Sequence, residues 1–138
     1  MERNFIDGYT EWQTNPEIVA VNKLPQHATL MPYENFDEAK KADRYASTRC
    51  KLLNGKWKFK LYKNYAYRPS DFAQPHYDSH NWDSVIVPCS WQMQGYDQAQ
   101  YCNVRYPWEG SEDICPPNAP TKHNPVGCYL KRIHINEA

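Results

Sequence analysis

The sequence predicts an all-β fold, a sandwich of few strands joined by long loops. Lys56 to Tyr62 alternates Trp57, Phe59 and Leu61 with Lys56, Lys58 and Lys60, the period of a half-buried strand. Val85-Ile86-Val87 is a short apolar run ended by Pro88, and Cys128 to Ile135 alternates again. Eleven prolines and eleven tyrosines in 138 residues also favour a loop-rich, β-leaning chain.

Residues 1–33 carry Pro16, Pro25 and Pro32 without sustained periodicity, and each proline turns its predecessor away from helix, so an extended arm is expected. Asn35 to Ala46 collects good helix formers with few apolar positions and predicts a short exposed helix whose charges form a solvated face. Together these make a first unit over 1–49, with the sandwich over 50–138.

Asn54-Gly55 is a turn signal leading into the strand, where Trp57, Phe59 and Leu61 should form a buried row and the lysines face water. Asn64 to Asp83 reads as a long connection with one helical turn near Ser70 to Gln74, anchored to the core by Trp82. His76 and His80 fall four apart, but the proline-rich setting favours solvated loop histidines over a metal pair. Pro107 to Pro125 holds five prolines and Glu109, Glu112 and Asp113, which predicts a surface loop. Asn124-Pro125-Val126-Gly127 has proline and glycine placed for a type I turn.

At this length the chain has room for one core. Sixteen basic and sixteen acidic residues cancel, so no broad field draws nucleic acid or an anionic membrane. The first residues lack the apolar run of a secretory signal and no window reaches membrane-spanning length, so a cytoplasmic location is expected. Five cysteines, odd in number and without a Cys-x-x-Cys pair, favour reduced thiols. A zinc site from Cys115, His123 and Cys128 stands as the minority reading, because zinc ligands usually come in close pairs.

Function is written most clearly in Pro88-Cys89-Ser90-Trp91-Gln92-Met93-Gln94-Gly95-Tyr96-Asp97 and in Tyr101-Cys102-Asn103-Val104-Arg105-Tyr106-Pro107-Trp108. Aromatic faces cover the apolar side of a pyranose, and amides offer donors and acceptors to its hydroxyls without a charge to desolvate. The competing reading is that Trp91, Tyr96 and Tyr106 simply pack a β-rich domain.

These two blocks resemble the amino-terminal segment of glycoside hydrolase family two β-galactosidases. Asn15-Pro16-Glu17, Asn22-Lys23-Leu24 with His27, Leu53 to Phe59 and Asn124 to Tyr129 match the same segment in order. The resemblance implies a galactose-binding-like jelly-roll sandwich, incomplete here, since a jelly roll needs about eight strands and this chain offers three. It implies a parent enzyme that hydrolyses terminal β-D-galactosides such as lactose with retention, its two catalytic glutamates lying in a following barrel. No catalytic residue is carried onto this chain. Glu109, Glu112 and Asp113 could be offered as a local acid pair, but a solvated acidic loop is the commoner case.

One substrate contact transfers by position: Asn103, whose family counterpart hydrogen-bonds the galactosyl unit. Its alternative is to satisfy backbone groups at a strand-end turn. Trp91 and Gln92 read as loop supports; Cys102 and Ala99-Gln100 depart from the family pattern, and Arg105 adds a cation beside the site that bears on substrate preference. The resemblance brings no cofactor to this chain, and magnesium and sodium to the parent enzyme. Expected partners are a β-galactoside, the parent's remaining domains and further copies in a homo-oligomer. A free-standing carbohydrate-binding module and a purely structural assembly segment are the competing functions.

Overall fold

The structure is a computed structural model that describes residues 15–99, 101, 103–113, 115–116 and 118–135. It contains one five-residue α-helix and a three-stranded antiparallel sheet, together with short 3₁₀ turns. Residues 20–54 form one compact unit, and the sheet belongs to a second that takes in residues from 55 onward.

In the first unit, α1 spans Phe36–Lys40. Asn35 caps it, its side-chain oxygen accepting the Glu38 N–H at 3.0 Å, and Asp37 and Glu38 sit in the first turn where the helix end favours negative charge. The helix expected over 35–46 breaks after five residues. Ala42 takes a left-handed φ of 52°, and Asp43 turns its carboxylate to the Tyr45 N–H, starting a separate 3₁₀ turn over Arg44–Ala46. An aspartate that bonds its own backbone competes with helix continuation. Buried Ser47 ties the unit together, donating to the Pro32 carbonyl and accepting the Arg49 N–H.

In the second unit, β1 (Gly55–Tyr62) lies between β2 (Asp83–Val87) and β3 (Val126–Leu130), antiparallel to both. Trp57 faces Val85, Phe59 faces Tyr129 and Leu61 faces Gly127, so these side chains share one face. Phe59 is fully buried at its centre, with ring centroids of Tyr96 and Tyr129 at 4.7 and 4.8 Å. Trp57 and Leu61 are half-buried, and Lys131 places its ammonium 5.6 Å from the Trp57 ring.

The opposite face carries Lys58, Lys60 and Tyr62 beside Cys128 and Leu130. The lysines expected in water are half-buried at positions 58 and 60. The connection between β1 and β2 explains this: it lays Tyr77 against Tyr62, and Trp82 sits edge-on to Tyr77 at 5.5 Å and stacked on Phe72 at 6.2 Å. Lys58 then snorkels, its ammonium donating to the carbonyls of Trp82 at 3.0 Å and His80 at 3.3 Å. Burial under this cover, reinforced by Tyr77 and the Cys128 thiol, pushes the Tyr62 hydroxyl up to about 12. Trp82 anchors the connection as expected, and a turn closes near its middle through the Gln74 N–H to the Asp71 carbonyl.

The last strand starts earlier and ends sooner than the alternation over 128–135 implied. Pro125 has no N–H to give a ladder, so pairing begins just after it at Val126, opposite Tyr62. Val126 and Gly127 are therefore strand residues rather than half of a type I turn, and the chain bends over residues 121–123 instead. Among the described residues no helix is long and apolar enough to cross a membrane.

Candidate functional site: a stapled aromatic loop

The loop after β2 is fixed to the sheet in three places. Ser90 leads into a 3₁₀ turn over Trp91–Gln94, closed by Gly95 at φ 88°, a conformation that favours glycine. Gln94 then reaches back to Ile86, its Oε1 accepting the backbone N–H at 2.7 Å and its Nε2 donating to the carbonyl at 3.1 Å. Trp91 lies over Gly127: a Cβ there would fall 2.5 Å from Trp91 Cζ3 and 2.8 Å from Phe59 Cε2. Tyr96 adds a hydrogen bond to the Asp83 carboxylate, and burial followed by that bond raises its hydroxyl above the ordinary tyrosine range.

The staples deliver residues 97–111 as a projecting loop. Asn103 sits exposed in a turn beside Val104, Tyr101 and Tyr106, all strongly exposed. Beyond it the chain folds on itself around Trp108, which takes a left-handed φ of 69°. Its carbonyl accepts the Ser111 N–H at 2.8 Å, and Glu109 closes the same turn by accepting the Tyr106 N–H at 3.0 Å.

A pocket of about 320 Å³ opens here, lined by Gln98, Arg105, Tyr106, Trp108, Glu109 and His123 among others. A second, of about 400 Å³, lies by Tyr62, Lys63, Asp97, Lys122 and Pro125. Asn103 lines neither.

Of the loop's acidic residues, Glu109 and Asp113 are exposed, and Glu112 is half-buried and tied to the backbone. Glu112 accepts hydrogen bonds from the N–H groups of Thr121, Lys122 and His123 at 2.8, 2.9 and 3.2 Å, and from the Thr121 hydroxyl at 3.1 Å. The Thr121 N–H leads in holding the carboxylate down to about 2; desolvation, the next largest effect, opposes it and is outweighed by the further bonds from Lys122, His123 and the Thr121 hydroxyl. A general acid needs the reverse shift.

Of the residues singled out in the sequence, Trp91 is a packing residue and Tyr96 is half-buried against Phe59, while Tyr106 and Asn103 are presented outward. Cys102 and Gln100 lie outside the described residues. Cys115 is exposed and Cys128 buried in β3; His76 is exposed, and His80 pairs with Asp78 at 2.8 Å. Among the described residues no group of three or more histidines, cysteines, aspartates or glutamates comes together as a metal cradle. Three functional supports were missed in the sequence. Gln94 and Glu112 act across gaps of eight to eleven residues and leave no periodic signal; Gly127 was assigned to a turn rather than to a close approach.

A small antiparallel β-sheet domain that fixes an aromatic, amide-bearing loop to its edge is the class of protein defined by this geometry. The chain belongs to the family of glycosyl hydrolases family 2, sugar binding domain, whose family model matches residues 50–138. Among curated proteins it is 48% identical over 125 residues to a beta-galactosidase of Priestia megaterium, and 40% identical over 124 residues to one of Halalkalibacterium halodurans. It is 39% identical over 139 aligned positions to a beta-galactosidase large subunit of Lactobacillus helveticus. These alignments cover 91%, 90% and 92% of this chain but only 12%, 12% and 22% of the three relatives.

Proposed function

We propose that this chain is the amino-terminal sugar-binding part of a β-galactosidase that hydrolyses terminal β-D-galactosides such as lactose with retention. The observation that carries the proposal is the 48% identity running through 91% of the chain, against a relative of which it spans 12%. Catalysis belongs to a part of that longer protein outside these 138 residues. Retaining hydrolysis needs two carboxyl groups about 5 to 5.5 Å apart, one of them protonated at working pH. Glu109 and Glu112 are instead committed to backbone N–H groups, and Glu112 is held strongly ionised.

The role assigned to this chain is to shape one wall of the substrate site. Asn103 stands on the stapled loop with its amide outward, able to donate to one sugar hydroxyl and accept from another. Such a group discriminates an axial from an equatorial hydroxyl, because the wrong epimer leaves a desolvated amide unpaired. A cytoplasmic setting accords with the free thiols of Cys50, Cys89, Cys115 and Cys128. Assembly with the parent's other domains, and of parent copies with one another, completes the reading.

The test is hydrolysis of lactose and of a chromogenic β-galactoside by the longer polypeptide that opens with this sequence, with the first-formed anomer read by NMR. β-Galactose as first product supports the proposal; α-galactose, or turnover by the 138-residue chain alone that is lost on substituting Glu109 or Glu112, overturns it.

A further inference from the structure

The pocket beside Trp108 has a chemistry that Asn103 does not share. Its rim pairs two aromatic rings, Tyr106 and Trp108, with the amide of Gln98, the guanidinium of Arg105, the carboxylate of Glu109 and the imidazole of His123. One fixed cation and one fixed anion cancel, which disfavours a phosphate or a carboxylate and suits a neutral ligand with several hydroxyls. Arg105 can donate to two neighbouring hydroxyl oxygens, and Glu109, one of whose oxygens already accepts the Tyr106 N–H, keeps acceptor capacity for a third.

The indole Nε1 of Trp108 is buried and has no hydrogen-bond partner in the structure. With no accessible surface that N–H is closed to a ligand as it is to water, as is the Nε1 of Trp91, so Trp108 enters the site as a lining ring rather than as a donor. The residue that carries it is held in a left-handed conformation by the bonds from Ser111 and Glu112 to its carbonyl. A volume of about 320 Å³ accommodates one pyranose ring and a few waters.

We propose that the pocket formed by Gln98, Arg105, Tyr106, Trp108, Glu109 and His123 is a saccharide-binding site of its own, taking one neutral hexopyranose ring independently of Asn103. It takes its ligand class from the carbohydrate reading above but makes a separate claim about place. The ring lies on an aromatic face and its hydroxyls meet Arg105 and Glu109.

The experiment is a titration of the ¹⁵N-labelled 138-residue chain with lactose to about 50 mM, the range in which single-ring sites bind. It is read at the Trp108 indole cross-peak, assigned by its loss in Trp108→Phe. The expected result is a saturable shift of that peak, kept in Asn103→Ala and weakened about tenfold or more in Arg105→Ala, an exposed position whose truncation leaves the core untouched. No shift in a chain with dispersed amide signals overturns the proposal, as does a shift abolished by Asn103→Ala. If the isolated chain lacks dispersed signals, the same peak and variants are read in the longer polypeptide, where the same outcomes decide. Hydrolysis by that polypeptide with an unmoved Trp108 peak would sink this pocket and leave the β-galactosidase reading standing. A saturable shift without hydrolysis would do the opposite.

Discussion

Gln94 forms both hydrogen bonds that a neighbouring strand would make to Ile86, accepting its N–H at 2.7 Å and donating to its carbonyl at 3.1 Å. Since β2 is an outer strand of the sheet, one side-chain amide both blunts an open edge and ties down the start of the aromatic loop.

Replacing Gln94 with alanine should therefore have two effects. Stability falls by about 1 to 2 kcal/mol, the ordinary worth of two such bonds at a partly solvated site. The bared edge also promotes association, seen as a larger species in light scattering. Gln94→Glu keeps the acceptor and loses the donor, so it should fall between the two; a monomeric alanine variant with an unchanged melting temperature would refute the edge-blocking role.

Gly127→Ala should destabilise by about 1 to 3 kcal/mol, because the new methyl meets the Trp91 and Phe59 rings well inside contact distance and a packed cluster repays overfilling with strain. Shrinking the ring above it should recover part of the loss. A double-mutant cycle of Gly127→Ala with Trp91→Leu, followed by thermal melting, is expected to show a favourable coupling; strict additivity would mean the two residues do not press on one another.

The Glu112 carboxylate gives a pH dependence with a definite sign. Its folded value of about 2 lies below the ordinary 4.5, so its contribution is present above the unfolded value and is lost as pH falls from about 4.5 through about 2. The amide signals of Thr121, Lys122 and His123 should titrate together near the lower value. Glu112→Gln should speed hydrogen exchange at all three, and titration of those amides near 4.5 would place the carboxylate in water.

If the chain is the sugar-binding part of a β-galactosidase as proposed, Asn103→Ala in that enzyme should weaken transition-state stabilisation for β-galactosides by about 1 to 3 kcal/mol, the cost of a hydrogen bond left unmatched when substrate covers the amide. Discrimination against β-glucosides should weaken with it. Equal kinetics for the variant and its parent on both sugars would remove Asn103 from the site.

These cases show where the residues spoke and where they stayed silent. The alternation of Trp57, Phe59 and Leu61 announced β1, because burial with period two is a local property. The extent of β3 was not legible, since Pro125 and the register against Tyr62 set its start while the pattern over 128–135 pointed further on. The break after Lys40 came from Asp43 preferring its own backbone, a competition that residue propensities summed over 35–46 conceal. The half-burial of Lys58 and Lys60 depends on a cover contributed from residues 72–82, and the anchoring by Glu112 depends on a loop returning nine residues later. Asn103 could be nominated only from a resemblance, because nothing in the composition of an exposed turn distinguishes it from its neighbours.

The order of the strands has a consequence for biosynthesis. The middle strand is translated first: β1 can pair with β2 once residue 87 has left the ribosome, but its other side stays bare until residues 126–130 emerge. At about 5 to 20 residues per second, that leaves a nascent chain with an unmated flank for roughly two to nine seconds. Through this interval the aromatic cluster around Phe59 lacks Tyr129 and Gly127 and keeps its rings open to water.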